Sequence, residues 1–167
     1  VGEAEFRRQG FRTKLHVELH RLEAAYLTTL KTAGVTVHDT RAALEDPHTV
    51  RLADGGRVTA KHILIATGGR PFVPEMQGGA DILTPNDIFN LDALPKSLLI
   101  VGGGYIACEF ACILTGLGVE VTQAYRGAQV RRGFDDEARG HVAELMREGG
   151  VNLHVGCNIA EMKPAPG

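Results

Sequence analysis

The sequence predicts an α/β fold organised around parallel sheet, and three observations carry that expectation. The continuous apolar run His62-Ile63-Leu64-Ile65-Ala66 is rich in β-branched residues and reads as a strand buried on both faces. From Leu98 the pattern becomes strand, glycine loop, helix and strand within about 30 residues. A second helix-then-strand unit follows, and alternating β and α elements imply parallel strands joined by helical crossovers.

The elements follow in chain order. Leu15, Leu19, Leu22, Tyr26 and Leu30 recur at spacings of three and four, which gives one apolar stripe on a helix over residues 13–33. Gly34 stands where a left-handed cap ends such a helix. Short segments are expected at 35–38, 42–45, 49–52 and 57–60, with Asp54-Gly55-Gly56 reversing the chain between the last two. The 62–66 strand ends at Thr67-Gly68-Gly69. Pro71, Pro74 and Gly78-Gly79 resist regular structure, so a domain crossing is placed there, dividing the chain into residues 1–72 and 73–167. Thr84-Pro85-Asn86-Asp87 pairs a hydroxyl cap with proline in the first turn and starts a short helix. The glycine-loop unit then places a strand at 98–101, a helix at 105–117 closed by Gly118, and a strand at 120–124. Asp135 or Asp136 caps a helix running to Glu148, Gly149-Gly150 stops it, and a third strand covers 151–155.

Composition narrows the partners. Lys and Arg number 18 against 20 for Asp and Glu, so no strong field attracts nucleic acid or a membrane surface. The apolar stretch 98–117 reaches the ~20 residues that a bilayer demands. Glu109 in its middle and the break at Gly102-Gly103-Gly104 argue against a span. Cys108, Cys112 and Cys157 are too few and too irregular for a disulfide framework or a zinc site, and a reducing, cytoplasmic setting is expected. Cys108 and Cys112, one helical turn apart, are expected as small buried residues on one face, and Cys157 as structural. The seven histidines show no ligand spacing. The start at Val1-Gly2-Glu3-Ala4-Glu5 has no signal pattern and reads as a cut end.

Gly102-Gly103-Gly104-Tyr105-Ile106-Ala107 satisfies the G-x-G-x-x-G/A pattern immediately after a strand and at the opening of a helix. The first glycine permits the tight turn, the second lets the backbone approach a pyrophosphate, and the small Ala107 lets helix and sheet pack closely. Free N–H groups and the positive end of the helix dipole then face the phosphates. A ligand-free glycine turn is the plainer alternative. This context makes the expected architecture a Rossmann-like dinucleotide-binding fold. At the end of the second strand an NAD enzyme places an acidic residue on the ribose, whereas Tyr125-Arg126 stands there, followed by Arg131 and Arg132. Guanidinium groups match a 2′-phosphate in shape and charge, which favours NADPH. Solvated loop arginines are the alternative.

The run from Ile100 to Ala107, followed by Glu109 and Ala111, resembles the NADPH loop of the glutathione reductases. His62 to Pro71 is similar to the stretch with which those enzymes leave their FAD domain. Gly116-Leu117-Gly118, Arg126 and Arg132 six apart, and Gly133-Phe134-Asp135 fit as well, so the similarity extends from about Leu15 to Lys163. The resemblance implies the later part of an FAD-binding domain over 1–72, followed by an NADPH-binding domain over 73–167, incomplete at its C-terminus. It further implies that hydride passes from NADPH through FAD to a redox disulfide and on to oxidised glutathione, in a homodimer.

It also implies roles for single positions. Tyr105 covers the nicotinamide pocket and swings aside when NADPH enters, and Glu109 one turn later helps position the nicotinamide. Ile106 belongs to the phosphate-binding turn with Gly102, Gly103 and Gly104. Ala42, with Arg41, lends backbone contacts to the FAD adenine, while Thr67 and Gly68 lie near the flavin. Read without the family, these are packing, turn or strand-end residues. The family's N-terminal FAD loop, its CxxxxC redox pair and its C-terminal His-Glu pair do not occur in these 167 residues, so no catalytic residue is assigned and the chain is expected to be an internal piece of a longer enzyme. A non-catalytic dinucleotide-binding module and a related reductase such as mercuric reductase are the alternatives.

Overall fold

The computed structural model describes residues 6–73 and 82–163. Pro74 and Gly78-Gly79 of the expected domain crossing lie outside the described residues, as do the first five and last four positions. The chain divides into two compact units, one formed by Val1–Arg12 with Pro71–Gly167 and the other by Thr13–Arg70.

The unit from Thr13 to Arg70 contains most of helix α1 (Arg8–Thr32) and a sheet of three antiparallel strands in the order β1 (Ala42–Asp46), β2 (Thr49–Leu52), β3 (Arg57–Thr59). Asp46 closes the first turn by accepting from the His48 N–H at 2.7 Å, and Asp54 closes the second by accepting from the Gly56 N–H at 2.8 Å. At that second turn Gly55 has φ 89°, a value that strongly favours glycine, as the Asp-Gly-Gly signal implied. Leu52 is the buried hydrophobic residue among those described in this unit.

Three expectations for this unit are corrected. Residues 35–38 are irregular and not a strand. Residues 62–66 are not a strand either: Leu64 is 89% and Ile65 66% exposed, and no described residue pairs with the segment. A central parallel strand is stable only with neighbours on both edges and layers on both faces, and β1–β3 pair among themselves without admitting it. The apolar stripe of α1 exists as a pattern but is not covered, with Leu19, Leu22, Tyr26 and Leu30 exposed. The helix also begins at Arg8, earlier than the apolar spacing indicates. Its first turn is held by polar contacts instead: Arg8 Nε donates to the Leu91 carbonyl at 2.9 Å, and Arg12 pairs with Asp92.

In the other unit the predicted short helix α2 (Pro85–Ile88) starts after Thr84, where Thr84 and Asp87 form a capping box, the Thr84 N–H donating to the Asp87 carboxylate at 2.7 Å. Strands β4 (Ser97–Val101), β5 (Glu120–Tyr125) and β6 (Asn152–Val155) then form a parallel sheet in the order β4-β5-β6. Helix α3 (Tyr105–Gly116) connects the first pair and α4 (Asp136–Glu148) precedes the last strand. Of the two candidate caps for α4, Asp135 is the one used: its carboxylate accepts from the Glu137 and Ala138 N–H groups, both at 3.1 Å. The core joins Cys108, Ala111 and Leu114 of α3, Val121 and Leu153 of the sheet, Ala143 and Met146 of α4, and Val119, Val130 and Val151 from the connections. Fully burying side chains of the larger aliphatic kind stabilises a fold by about 1.5–3 kcal/mol each. The middle strand β5 is therefore anchored on both sides, and its C-terminal end is the rigid edge from which the next loop departs.

Candidate nucleotide site

The site is built where β4 turns into α3. Gly102 has φ 144°, which an L side chain rarely adopts, and its N–H donates to the Ala124 carbonyl of β5 at 2.9 Å. Gly103 is buried, and a Cβ there would fall 2.4 Å from two ring atoms of Tyr125. Gly104 is the N-cap of α3 and faces open space. It supplies no capping side chain, and the first helical bond runs from the Cys108 N–H to its carbonyl at 3.2 Å. The amides of Tyr105, Ile106 and Ala107 are thus the uncapped donors of a twelve-residue helix, where an anion is favoured by both hydrogen bonding and the macrodipole.

The loop after β5 lies against this turn. The Arg131 N–H donates to the Gly103 carbonyl at 2.5 Å, and its guanidinium lies 4.8 Å over the Phe134 ring. Arg131 has φ 54°, uncommon for a non-glycine residue, so its backbone is held by surrounding contacts. Arg126 and Arg132 are exposed and, among the described residues, neither forms an ion pair or hydrogen bond. Of the three arginines in the loop between β5 and α4, Arg131 sits over the Phe134 ring, while these two have no side-chain partner among the described residues. Tyr105 is 58% exposed at the helix start, and Ile106 and Glu109 are exposed beside it. Tyr105 and Glu109, four residues apart, share a face of α3.

Two residues that sequence reasoning did not single out complete the arrangement. Gln123 in β5 is fully buried, and its Nε2 donates to the Gly102 carbonyl at 2.9 Å while its Oε1 finds no partner. Its place two residues after Val121, on the same inward-facing side of β5, was the available signal for it. Arg139 of α4 donates from Nε to the Val130 carbonyl at 2.8 Å and from Nη2 to the Gln129 carbonyl at 2.9 Å. Those acceptors are backbone atoms nine and ten positions upstream, so no residue pattern advertises them.

The residues that the resemblance assigns to the flavin lie in the unit from Thr13 to Arg70. Ala42 is exposed at the start of β1 opposite Leu52, and the Arg41 carbonyl accepts from the Ala53 N–H at 2.9 Å. Thr67 and Gly68 are exposed on the irregular segment after β3, and no hydrogen bond joins them to Ala42.

All three cysteines are free. Burial pushes the Cys108 thiol up, and a weak contact from Gln123 only partly offsets it. Cys112 is exposed, which corrects the expectation that both helical cysteines are buried. The buried stripe of α3 runs Cys108, Ala111, Leu114, in steps of three. At about 100° per residue such a stripe rotates away from Cys112. Among the described residues no His, Cys, Asp and Glu side chains gather as a metal site, and no helix is long and apolar enough to cross a membrane.

Comparison with known proteins agrees with this geometry. Residues 2–167 match the family model described as pyridine nucleotide-disulphide oxidoreductase. Glutathione reductase of Burkholderia cepacia is 42% identical over 146 residues, covering 87% of this chain and 32% of the relative. Glutathione reductase of Nostoc sp. is 42% identical over 153 residues, covering 92% of this chain and 33% of the relative. The chloroplastic/mitochondrial glutathione reductase of Pisum sativum is 45% identical over 139 residues, covering 83% and 25%. The chain therefore spans about a quarter to a third of the length of these curated relatives. In fold it is similar to the HOCl-induced flavoprotein disulfide reductase RclA from Escherichia coli, with a TM-score of 0.79 at 24% identity, over 95% of this chain and 37% of that one. Glycine turn, uncapped helix and relatives converge on one assignment: this chain belongs to the pyridine nucleotide-disulphide oxidoreductase family.

Proposed function

We propose that the chain is the nucleotide-binding part of an NADPH-dependent flavoprotein disulfide reductase whose substrate is oxidised glutathione. The observation that carries this is the uncapped N-terminus of α3 beside a loop carrying two arginines with no side-chain partner among the described residues. In this reading residues 73–167 hold NADPH and residues 1–72 belong to the FAD-binding domain; the break between units at Arg70 and Pro71 falls near that boundary, while Val1–Arg12 groups with the later unit. Gly102, Gly103 and Gly104 and the amides of Tyr105, Ile106 and Ala107 hold the pyrophosphate. Arg126 and Arg132 take the 2′-phosphate. Tyr105 and Glu109, exposed on one face of α3, flank the nicotinamide. When bound, NADPH supplies the hydride; the residues of this chain bind and orient it.

FAD enters the reading through the family and through the flavoproteins of similar fold, with Ala42, Thr67 and Gly68 as its proposed contacts. Glutathione enters through the relatives named above. A homodimer in the cytoplasm completes the reading, and the three free thiols are compatible with a reducing compartment.

The test is to change Arg126 and Arg132 together to Gln in the intact protein and measure kcat/KM with NADPH and with NADH, using oxidised glutathione as acceptor. A hydrogen bond to a charged group contributes roughly 1.5–3 kcal/mol, so the pair accounts for about a hundredfold preference. NADPH is expected to lose most of that advantage while NADH changes little. Equal losses with both cofactors defeat the specificity assignment. Oxidation of NADPH that is indifferent to oxidised glutathione in the wild type defeats the substrate.

A further inference from the structure

We propose that Arg139 is a positioning residue for cofactor selection, holding the loop that presents Arg126 and Arg132 although its own guanidinium is turned away into the protein. The inference rests on the NADPH reading and extends it to a residue outside the glycine turn and outside the arginine pair.

The geometry is a three-way clamp. The Arg139 side chain is only 15% exposed and spends its planar fork on three acceptors: the Val130 carbonyl at 2.8 Å, the Gln129 carbonyl at 2.9 Å and the Asp136 carboxylate at 2.5 Å. Charge-assisted bonds to backbone carbonyls fix the chain itself, not merely a side chain. The clamped carbonyls lie immediately before Arg131 and Arg132. On the other side of Val130, which is fully buried, the Arg131 N–H is tied to the Gly103 carbonyl. The segment is thus pinned to α4 through Arg139 and to the glycine turn through Arg131, with Val130 as the plug between.

Arg131 pays for this with a left-handed backbone at φ 54°. A non-glycine residue stays there only where neighbouring contacts over-determine the conformation. Releasing the two Arg139 bonds lets the segment relax toward ordinary backbone angles, which moves the Cα of Arg132 and dissolves the fixed spacing between Arg126 and Arg132. A 2′-phosphate needs both guanidinium groups at once. The pyrophosphate contacts, made by the start of α3, do not depend on that segment to the same degree.

The same logic separates Arg from Lys at this position. A guanidinium reaches two successive carbonyls and a carboxylate in one plane, whereas an ammonium is a point charge on a flexible stem. Arg139→Lys keeps the charge next to Asp136 and loses the fork.

The experiment compares Arg139→Gln, Arg139→Lys, the Arg126→Gln/Arg132→Gln pair and the triple variant in the intact protein. Calorimetric titration uses adenosine 2′,5′-bisphosphate and adenosine 5′-monophosphate, so that binding is read without turnover. Arg139→Gln is expected to weaken the bisphosphate about tenfold, one charge-assisted hydrogen bond's worth, and the monophosphate less than about twofold. The triple variant is expected to bind the bisphosphate no more weakly than the arginine pair variant, because the clamp has nothing left to position. Should Arg139→Gln fail to fold, Arg139→Lys is judged by the same ratio. Equal weakening of both ligands, or none, overturns the proposal and leaves Arg139 as general support for the fold. If the arginine pair variant itself keeps the wild-type ratio, the NADPH reading falls and takes this inference with it.

Discussion

Gly103 and Gly104 are adjacent and look alike in the sequence, yet the structure gives them opposite reasons to be glycine. At Gly103 a methyl group would lie 2.4 Å from the Tyr125 ring, and that ring cannot simply slide because it also crowds Gly127, where an added Cβ would meet it at 2.5 Å. At Gly104 the backbone has an ordinary φ of −76° and nothing stands within 4 Å of the added atom. Overpacking typically costs about 1–3 kcal/mol, whereas a surface change without strain stays within about 0.5 kcal/mol. Gly103→Ala is therefore expected to lower the melting temperature and, by displacing the turn, to weaken NADPH. Gly104→Ala is expected to melt as the wild type does and still bind NADPH more weakly, because its methyl occupies the approach to the helix N-terminus. Thermal denaturation alongside nucleotide titration separates the two, and a stability loss at Gly104 equal to that at Gly103 contradicts the placement of the open face.

Helix α3 has two distinct faces: its N-terminus belongs to the proposed nucleotide site and its side packs the core through Cys108, Ala111 and Leu114. Thiol chemistry reports which face is which. Cys108 is buried beneath β5, and burial pushes its thiol up, so the reactive thiolate forms only at a pH above the ordinary cysteine range. Cys112 is exposed. At neutral to mildly alkaline pH a maleimide is expected to modify Cys112 of this chain quickly and Cys108 only on unfolding, with peptide mass spectrometry as the readout. Comparable rates at both positions mean that the buried stripe has been assigned to the wrong side of the helix. At α4 the cap and the clamp are likewise distinct: Asp135 satisfies the first amides of the helix, while Arg139 one turn later reaches back to the loop.

At the scale of the whole chain, binding and chemistry part company. The parallel sheet, glycine turn and arginine loop form one unit, whereas the three thiols are unpaired: one lies in the core, one is exposed on α3, and Cys157 follows β6. Reduction of a disulfide needs two electrons delivered through a partner that can hold them, and no cysteine pair in this polypeptide does so. The purified 167-residue chain is expected to show no NADPH-dependent reduction of oxidised glutathione in a spectrophotometric assay, and measurable turnover refutes that. With a net charge of only −2, any electrostatic pull on the proposed cofactor would come from the local arginines, not from the molecule as a whole.

By itself the sequence determined most of the parallel unit. Its strand, glycine turn, helix and strand follow from short-range rules: apolar runs, a dinucleotide-binding glycine spacing, an aspartate cap and glycine stops each act within a few residues, and β4, α3, β5, α4 and β6 fall where those signals stand. The hairpin turn at Gly55 was legible for the same reason. Other features were decided only by tertiary structure, because they depend on what lies across space. The run at 62–66 has the composition of a buried strand and is not one here, since a strand exists only where another offers it hydrogen bonds. Cys112 was placed on the wrong face because two residues one turn apart share burial only if the packing partner lies midway between them. Gln123 and Arg139, which hold the glycine turn and the arginine loop in place, bond to backbone carbonyls that look identical at every position of the sequence, and only folding selects which of them they meet.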